Sequence, residues 1–376
     1  MMLFALQAVT AAPSFGQSAV DPVPAFQWGA FLDIAYLGDP NVPANHLFRN
    51  RGTTPRVNAI AVNMAASWVR KAVSDSSRWG IELTAHGGED SKTFGFSSTA
   101  PNVRGAEVLS HLGPTDVQYL APVGKGLTIQ AGIFSSVIGY DSLYAKDNLT
   151  YTRPWGADYT PYLMLGVNAS YPFAPRLTGI VVAVSGYFHL AHANDVPSLG
   201  GQLAYRATDR TTLKQSVLAG PHQSNTTFDF WRVLSDTIVE RRAARLVMAF
   251  EYQLGVERVV DAIGRPRALW MSAQWPVQWI VRPSWRLTAR PELAWDRDGR
   301  WISGHLGSGQ SIAGFTSTVE YRISYPRGDT MIRLEHRFDD SRGPDGGFFE
   351  HQTQVTPRQQ LLIVACIVTI DSAIHR

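Results

Sequence analysis

Apolar and polar residues alternate one for one along most of the chain, the period of an extended strand with one greasy face. Phe26, Trp28, Ala30, Leu32, Ile34 and Tyr36 share one parity, and Gln27, Gly29, Phe31, Asp33 and Ala35 the other. From Val57 to Arg70 the residues Ile60, Val62, Met64, Ala66 and Trp68 fall in register, and Trp79, Ile81, Leu83 and Ala85 form the outward face of a partner running from Trp79 to His86. Leu127, Ile129, Ala131 and Ile133 alternate with Thr128, Gln130 and Gly132; Leu163, Leu165, Val167, Ala169 and Tyr171 alternate with Met164, Gly166, Asn168 and Ser170. The C-terminal half is the most regular. Leu246, Met248, Phe250, Tyr252, Leu254 and Val256 interleave with Val247, Ala249, Glu251, Gln253, Gly255 and Glu257, and Trp285, Leu287, Ala289, Leu293 and Trp295 with Arg286, Thr288, Arg290, Glu292 and Asp296.

Punctuation separates these segments in two lengths. Short turns fall at 174–176, 208–211, 241–244, 282–284 and 324–329, and the GKG at 124–126 makes another. Longer polar connections, rich in Gly, Pro and Asn, occupy 90–115, 192–198, 221–228, 258–267, 297–310 and 341–358. Short and long connections therefore alternate, as in an up-and-down meander of about sixteen strands, with fourteen to eighteen allowed by the unclear stretches at 177–190 and 230–240.

A soluble sandwich would alternate too, but it has no reason to space its aromatics across each strand. Trp285 and Trp295 are ten steps apart, roughly 23 Å of height at a strand tilt near 45°. That is close to the apolar band of about 25 Å between the aromatic girdles of an outer-membrane barrel. Trp279 with Trp285, and Trp68 with Trp79, bracket short turns. The longest apolar run, Leu361 to Ile370, is too short for a spanning helix. In lipid every backbone polar group must be paired, which leaves a closed barrel. The expected fold is all-β: a transmembrane antiparallel up-and-down β-barrel with short periplasmic turns and long extracellular loops.

Composition narrows the function. Charged residues are 17% of the 376, and a net charge of +3 with no basic block speaks against a nucleic-acid partner. Cys366 is the single cysteine, so there is no internal disulfide and no cysteine metal cage. Residues 1–20 have the short apolar run and small residues of a signal peptide without its positive start, and 21–376 form the single barrel domain; a disordered tail is the alternative for the first segment.

The run GIFSSVIGYDS, the stretch Tyr151 to Trp155, and the closing PYLMLGVNASYPF resemble the β-barrel porin family of the OmpL-like type, over about Phe26 to Asp371. The last strand ends IVTIDSAIHR, without the closing aromatic usual in outer-membrane barrels. The resemblance implies a bacterial outer-membrane porin: a water-filled channel for passive diffusion of small hydrophilic solutes or ions, without cofactor, as a monomer or homotrimer in outer-membrane lipid. A non-conducting structural or adhesive barrel, and a lipid-acting enzyme, are the alternatives.

The polar parity supplies the candidate pore lining: Glu251, Arg286, Arg290, Glu292, Asp296, Glu320, Arg322, Arg333, Glu335 and Arg337, with Asp339 beside them. These groups either select solutes or simply pair across strands. The resemblance to general porins folds the long loop 140–161 into the lumen as a constriction carrying Asp141, Lys146, Asp147, Arg153 and Asp158; a surface lid is the alternative. Catalytic and metal signals are weak. GSGQS at 307–311 lacks the spacing of a nucleophile elbow, Asp296-Arg-Asp298-Gly lacks the later ligands of a calcium loop, and the histidines are scattered.

Overall fold

Each alternating segment is a strand, and the strands pair antiparallel in chain order until the last meets the first. The computed structural model describes residues 26–49, 51–93, 106–187, 190, 196–223, 227–259, 267–302, 308–344, 347–351 and 354–372; the signal-peptide segment 1–20 lies outside them. The strands are β1 (Gln27–Gly38), β2 (Ile60–Lys71), β3 (Trp79–Gly87), β4 (Leu112–Ala121), β5 (Leu127–Ser135), β6 (Leu163–Ala174), β7 (Leu177–Val184) and β8 (Ser198–Thr208). They continue as β9 (Thr211–Pro221), β10 (Trp231–Arg242), β11 (Leu246–Arg258), β12 (Arg267–Gln274, resuming as Val277–Arg282), β13 (Trp285–Asp296), β14 (Gln310–Tyr325), β15 (Gly328–Arg342) and β16 (Arg358–Asp371).

Both halves of β12 pair with β11 and with β13, so Trp275-Pro276 interrupts one strand and the barrel has sixteen. Pro276 has no N–H for the ladder, which is why the run breaks there; its carbonyl still accepts from Ala249 N at 3.0 Å. Closure is made by β1 and β16, from Gly29 opposite Asp371 to Gly38 opposite Leu362. A closed ladder has no edge, the condition for placing strands in lipid.

The apolar parity faces out. Leu293 is 64% exposed, Trp79 63% and Leu362 56%, while their polar neighbours on the same strands are covered. The greasy side chains are thus not packed between two sheets, which excludes the sandwich. Seven short connections gather at one end and the long ones at the other. The long connection 343–357 contains a small hairpin of Phe348–Glu350 against Gln354–Thr356.

Several positions depart from the alternation, among them Ile133 and Leu163, which are buried in one cluster with Phe31 and Met64 instead of facing out; two departures have a traceable cause. In β2, Asp33 of β1 pairs with Met64 and Ile34 with Val62, so Asn63 is an extra residue and the parity flips. Ile60 and Val62 face outward as expected, but Met64 and Ala66 are buried and Trp68 packs with Phe31 inside the barrel. A Cβ at position 29 would collide with the Trp68 indole, so Gly29 is what lets that ring lie inside. Trp68 is therefore not a girdle residue; Val69 takes the outward position. Secondly, β4 begins at Leu112, inside the stretch read as loop, because Gly113-Pro114 obscures the alternation at its start.

Candidate functional site: the third loop against the lumen wall

The connection between β5 and β6, residues 136–162, is here called L3. It contains two short 3-10 turns, Ala145–Asp147 and Trp155–Tyr159, and its polar backbone must find partners away from bulk water. Those partners are side chains of the barrel wall, taken in order around the lumen.

L3 leaves β5 past β8 and β9, where Gln202 and Ser216 both donate to the Val137 carbonyl, at 2.5 and 2.8 Å. Gly139 N then donates to Asp236 of β10 at 2.9 Å, and Tyr140 N to Glu251 of β11 at 2.8 Å. Gln274 of β12 donates to Asp141 at 2.6 Å. Further on, the Tyr144 hydroxyl meets His86 of β3 at 3.0 Å, and the Tyr151 hydroxyl donates to Asp33 of β1 at 2.8 Å while accepting from Asn63 of β2 at 2.6 Å.

The densest contact is with β13–β15. Glu335 accepts from Tyr151 N (2.5 Å), Thr152 N (2.9 Å) and the hydroxyls of Thr152 (2.5 Å) and Thr318 (2.7 Å). Arg333 donates to the carbonyls of Ala145 (2.8 Å), Asn148 (2.8 Å) and Thr150 (3.2 Å). Arg290 donates to the Thr152 carbonyl at 2.5 Å, and Arg337 to that of Arg153 at 2.8 Å. Trp155 gives its backbone N–H to Glu292 at 2.6 Å and its indole N–H to Asp339 at 3.0 Å. The wall charges also pair among themselves, Arg290 and Arg337 with Glu292 (3.2 and 2.9 Å) and Arg337 with Asp339 (2.8 Å). Buried charges of this kind are stable because each is hydrogen-bonded, and most are paired as well.

The remaining candidates divide clearly. Asp296 accepts from the backbone N–H groups of Arg300, Trp301 and Ile302, so it shapes the loop after β13. Glu320 gathers Arg286, Arg322 and Arg333. Of the loop charges, Arg153 is buried beside Asp90 at 3.7 Å, and Asp158 is paired with Arg51 at 2.8 Å. Lys146 and Asp147 pair at 2.8 Å and keep some contact with water, the ammonium lying 5.5 Å from the Trp68 ring centre.

Several partners escape a charge-by-parity reading. Arg51 lies 4.7 Å over the Trp155 ring, and Phe48 and Phe348 flank that indole from other loops. Asp33 and Asn63 are polar residues on inward parity, and that position was their available signal; Asp236 lies in the stretch 230–240, whose alternation is unclear.

Burial pushes the Asp158 and Asp141 carboxyls above their usual range, opposed by nearby arginines. Asp90, in the loop after β3, accepts from Thr54 N at 2.6 Å and faces Arg153, Asp33 and Asp158; desolvation pushes it from 3.8 up to about 7. Its folded pKa lies above its unfolded one. The contribution to stability is therefore full below the unfolded value and is lost as pH rises through about 7. Urea titrations in lipid vesicles are expected to show falling stability over that window, and Asp90→Asn to flatten it.

Among solved structures, the chain is similar to the anion-selective porin of Comamonas acidovorans, with TM-score 0.55 and 8% identity over 92% of this chain and 98% of that one. It is similar to OmpT of Vibrio cholerae, with TM-score 0.54 and 10% identity over 94% and 100%, and to OmpF of Salmonella typhi, with 0.53 and 12% over 92% and 96%. At such identities the likeness concerns the fold. No curated protein sequence matches. Residues 25–370 match the family described as "Putative beta-barrel porin-2, OmpL-like", and with nearly the whole barrel inside that match the chain belongs to this family of outer-membrane porins.

Proposed function

We propose that this outer-membrane channel passes small hydrophilic solutes or ions down their gradients, with L3 as the element that limits its cross-section. The observation carrying this reading is the path of L3, which leaves the wall at β5 and hydrogen-bonds to β10, β11, β13 and β15 across the lumen. Water and solute therefore have to pass along a loop held by charged side chains, where size and charge decide entry.

In planar bilayers the folded protein is expected to open in discrete steps of reproducible conductance. An electrically silent barrel, still folded by its heat-dependent gel mobility, would instead favour the structural reading, which the dense seating of L3 also suits. As for assembly, OmpT of Vibrio cholerae has been solved in a trimer form, and a homotrimer is our proposal for this chain; light scattering of the detergent-extracted protein distinguishes it from a monomer.

A further inference from the structure

Three guanidiniums converge on one carboxylate beneath L3. Glu320 of β14 is paired with Arg286 of β13 at 2.9 Å, with Arg322 of its own strand at 2.9 Å and with Arg333 of β15 at 2.8 Å. The other ion pair of this trio among the described residues is the longer one between Arg322 and Asp329, at 3.9 Å. Within ion-pair distance the three guanidiniums meet two carboxylates, Glu320 and Asp329, while Asp33 acts on the buried Arg333 from further off.

The three arginines do different things. Arg333 is 1% exposed and its donors are committed to Glu320 and to the L3 carbonyls. Arg286 and Arg322 lie near the periplasmic ends of β13 and β14, and their side chains keep 16% and 22% of their surface. Arg286 bonds to Glu320 through one terminal nitrogen, and its Nε has no partner among the described residues. A carboxylate shared three ways cannot satisfy forks that carry five donors each. Arg322 gives both Nε and one terminal nitrogen to Glu320 and has Asp329 3.9 Å from the other, so the fork left over is the Nε and second terminal nitrogen of Arg286, on a mostly buried guanidinium held in place by Glu320.

Resting on the channel reading, we infer that Arg286, fixed by Glu320 alongside Arg322 and backed by Arg333, forms a seat for an oxyanion on the periplasmic side of L3. Its ligands are groups with a planar or tetrahedral set of charged oxygens, phosphate or carboxylate, which match the guanidinium fork in two bonds at once. Guanidinium donors fixed between low-dielectric walls also concentrate anions locally, so the seat biases the channel toward anions. The competing reading is an ion-pair cluster that only stiffens the wall, with no donor left for a solute.

The test uses the full chain folded in detergent, titrated with inorganic phosphate in a calorimeter, beside the variant R286Q/R322Q. Phosphate is expected to bind the native protein and to bind the variant at least about tenfold more weakly, the loss of two charge-assisted contacts. In bilayers phosphate then depresses the chloride current of the native channel but not of the variant, and the reversal potential in asymmetric KCl moves from anion-preferring toward zero. No phosphate binding, or equal binding by both proteins, overturns the seat. If the double variant does not fold, R286Q alone carries the comparison, since Arg286 holds the open fork. Silent bilayers with phosphate binding retained would sink the channel reading and leave the seat standing.

Discussion

Removing residues 146–158 is expected to raise the single-channel conductance severalfold. This segment supplies most of the L3 groups that reach β13–β15, all but the Ala145 carbonyl: the carbonyls of Asn148, Thr150, Thr152 and Arg153 and the N–H groups of Tyr151, Thr152 and Trp155. Without it the wall arginines regain water, and they keep their own pairings with Glu292, Glu320 and Asp339. The barrel ladder is made strand to strand and does not use L3, so closure between β1 and β16 survives the deletion. The measurement is single-channel recording in planar bilayers. A shortened protein that conducts like the full one would show that L3 does not limit the passage, and the proposed constriction would be abandoned.

Glu335→Ala is expected to lower folding stability by about 3–5 kcal/mol, because it leaves several buried donors without their acceptor at once. Glu335 is fully buried and collects the backbone of two successive residues at the middle of L3, together with two threonine hydroxyls. The loss falls on the loop more than on the barrel, so the open-channel current should become noisier as Tyr151 and Thr152 move. Glu335→Gln, which keeps a carbonyl oxygen in the same place, should be milder on both counts. Urea unfolding in vesicles and current noise measure the two effects. Should Glu335→Ala match the native protein in both, the anchoring assigned to this carboxylate is wrong.

The strands were legible because a barrel imposes opposite chemistries on successive residues, so alternation as in Leu246–Glu257 or Trp285–Asp296 marks a strand, and the spacing of Trp285 and Trp295 across it marks the barrel. What escaped were the places where period two breaks. The extra Asn63 sends Met64 and Trp68 inward although their spacing from Ile60 suggests the reverse, and no local residue preference announces a bulge. Pro276 breaks one strand into two halves that still share neighbours. The inward arginines and acids of β13–β15 could be read from parity, but not what they touch. Their partners are largely backbone atoms of a loop more than a hundred and thirty residues away in sequence, as with Arg333 and Ala145 at a separation of 188. Nor could parity reveal that Asp296 holds the following loop, because that depends on its path back over the barrel rim.

That the wall grips L3 largely by its main chain has a consequence for how such a protein can change over generations. Arg290, Arg333 and Glu335 grip peptide groups that almost any residue would present, so side chains in the loop can drift while it keeps its seat. Related barrels are then expected to differ freely at positions such as Lys146 and Asp147 while retaining the gripping residues. A lineage could retune what it admits without having to invent a new pore.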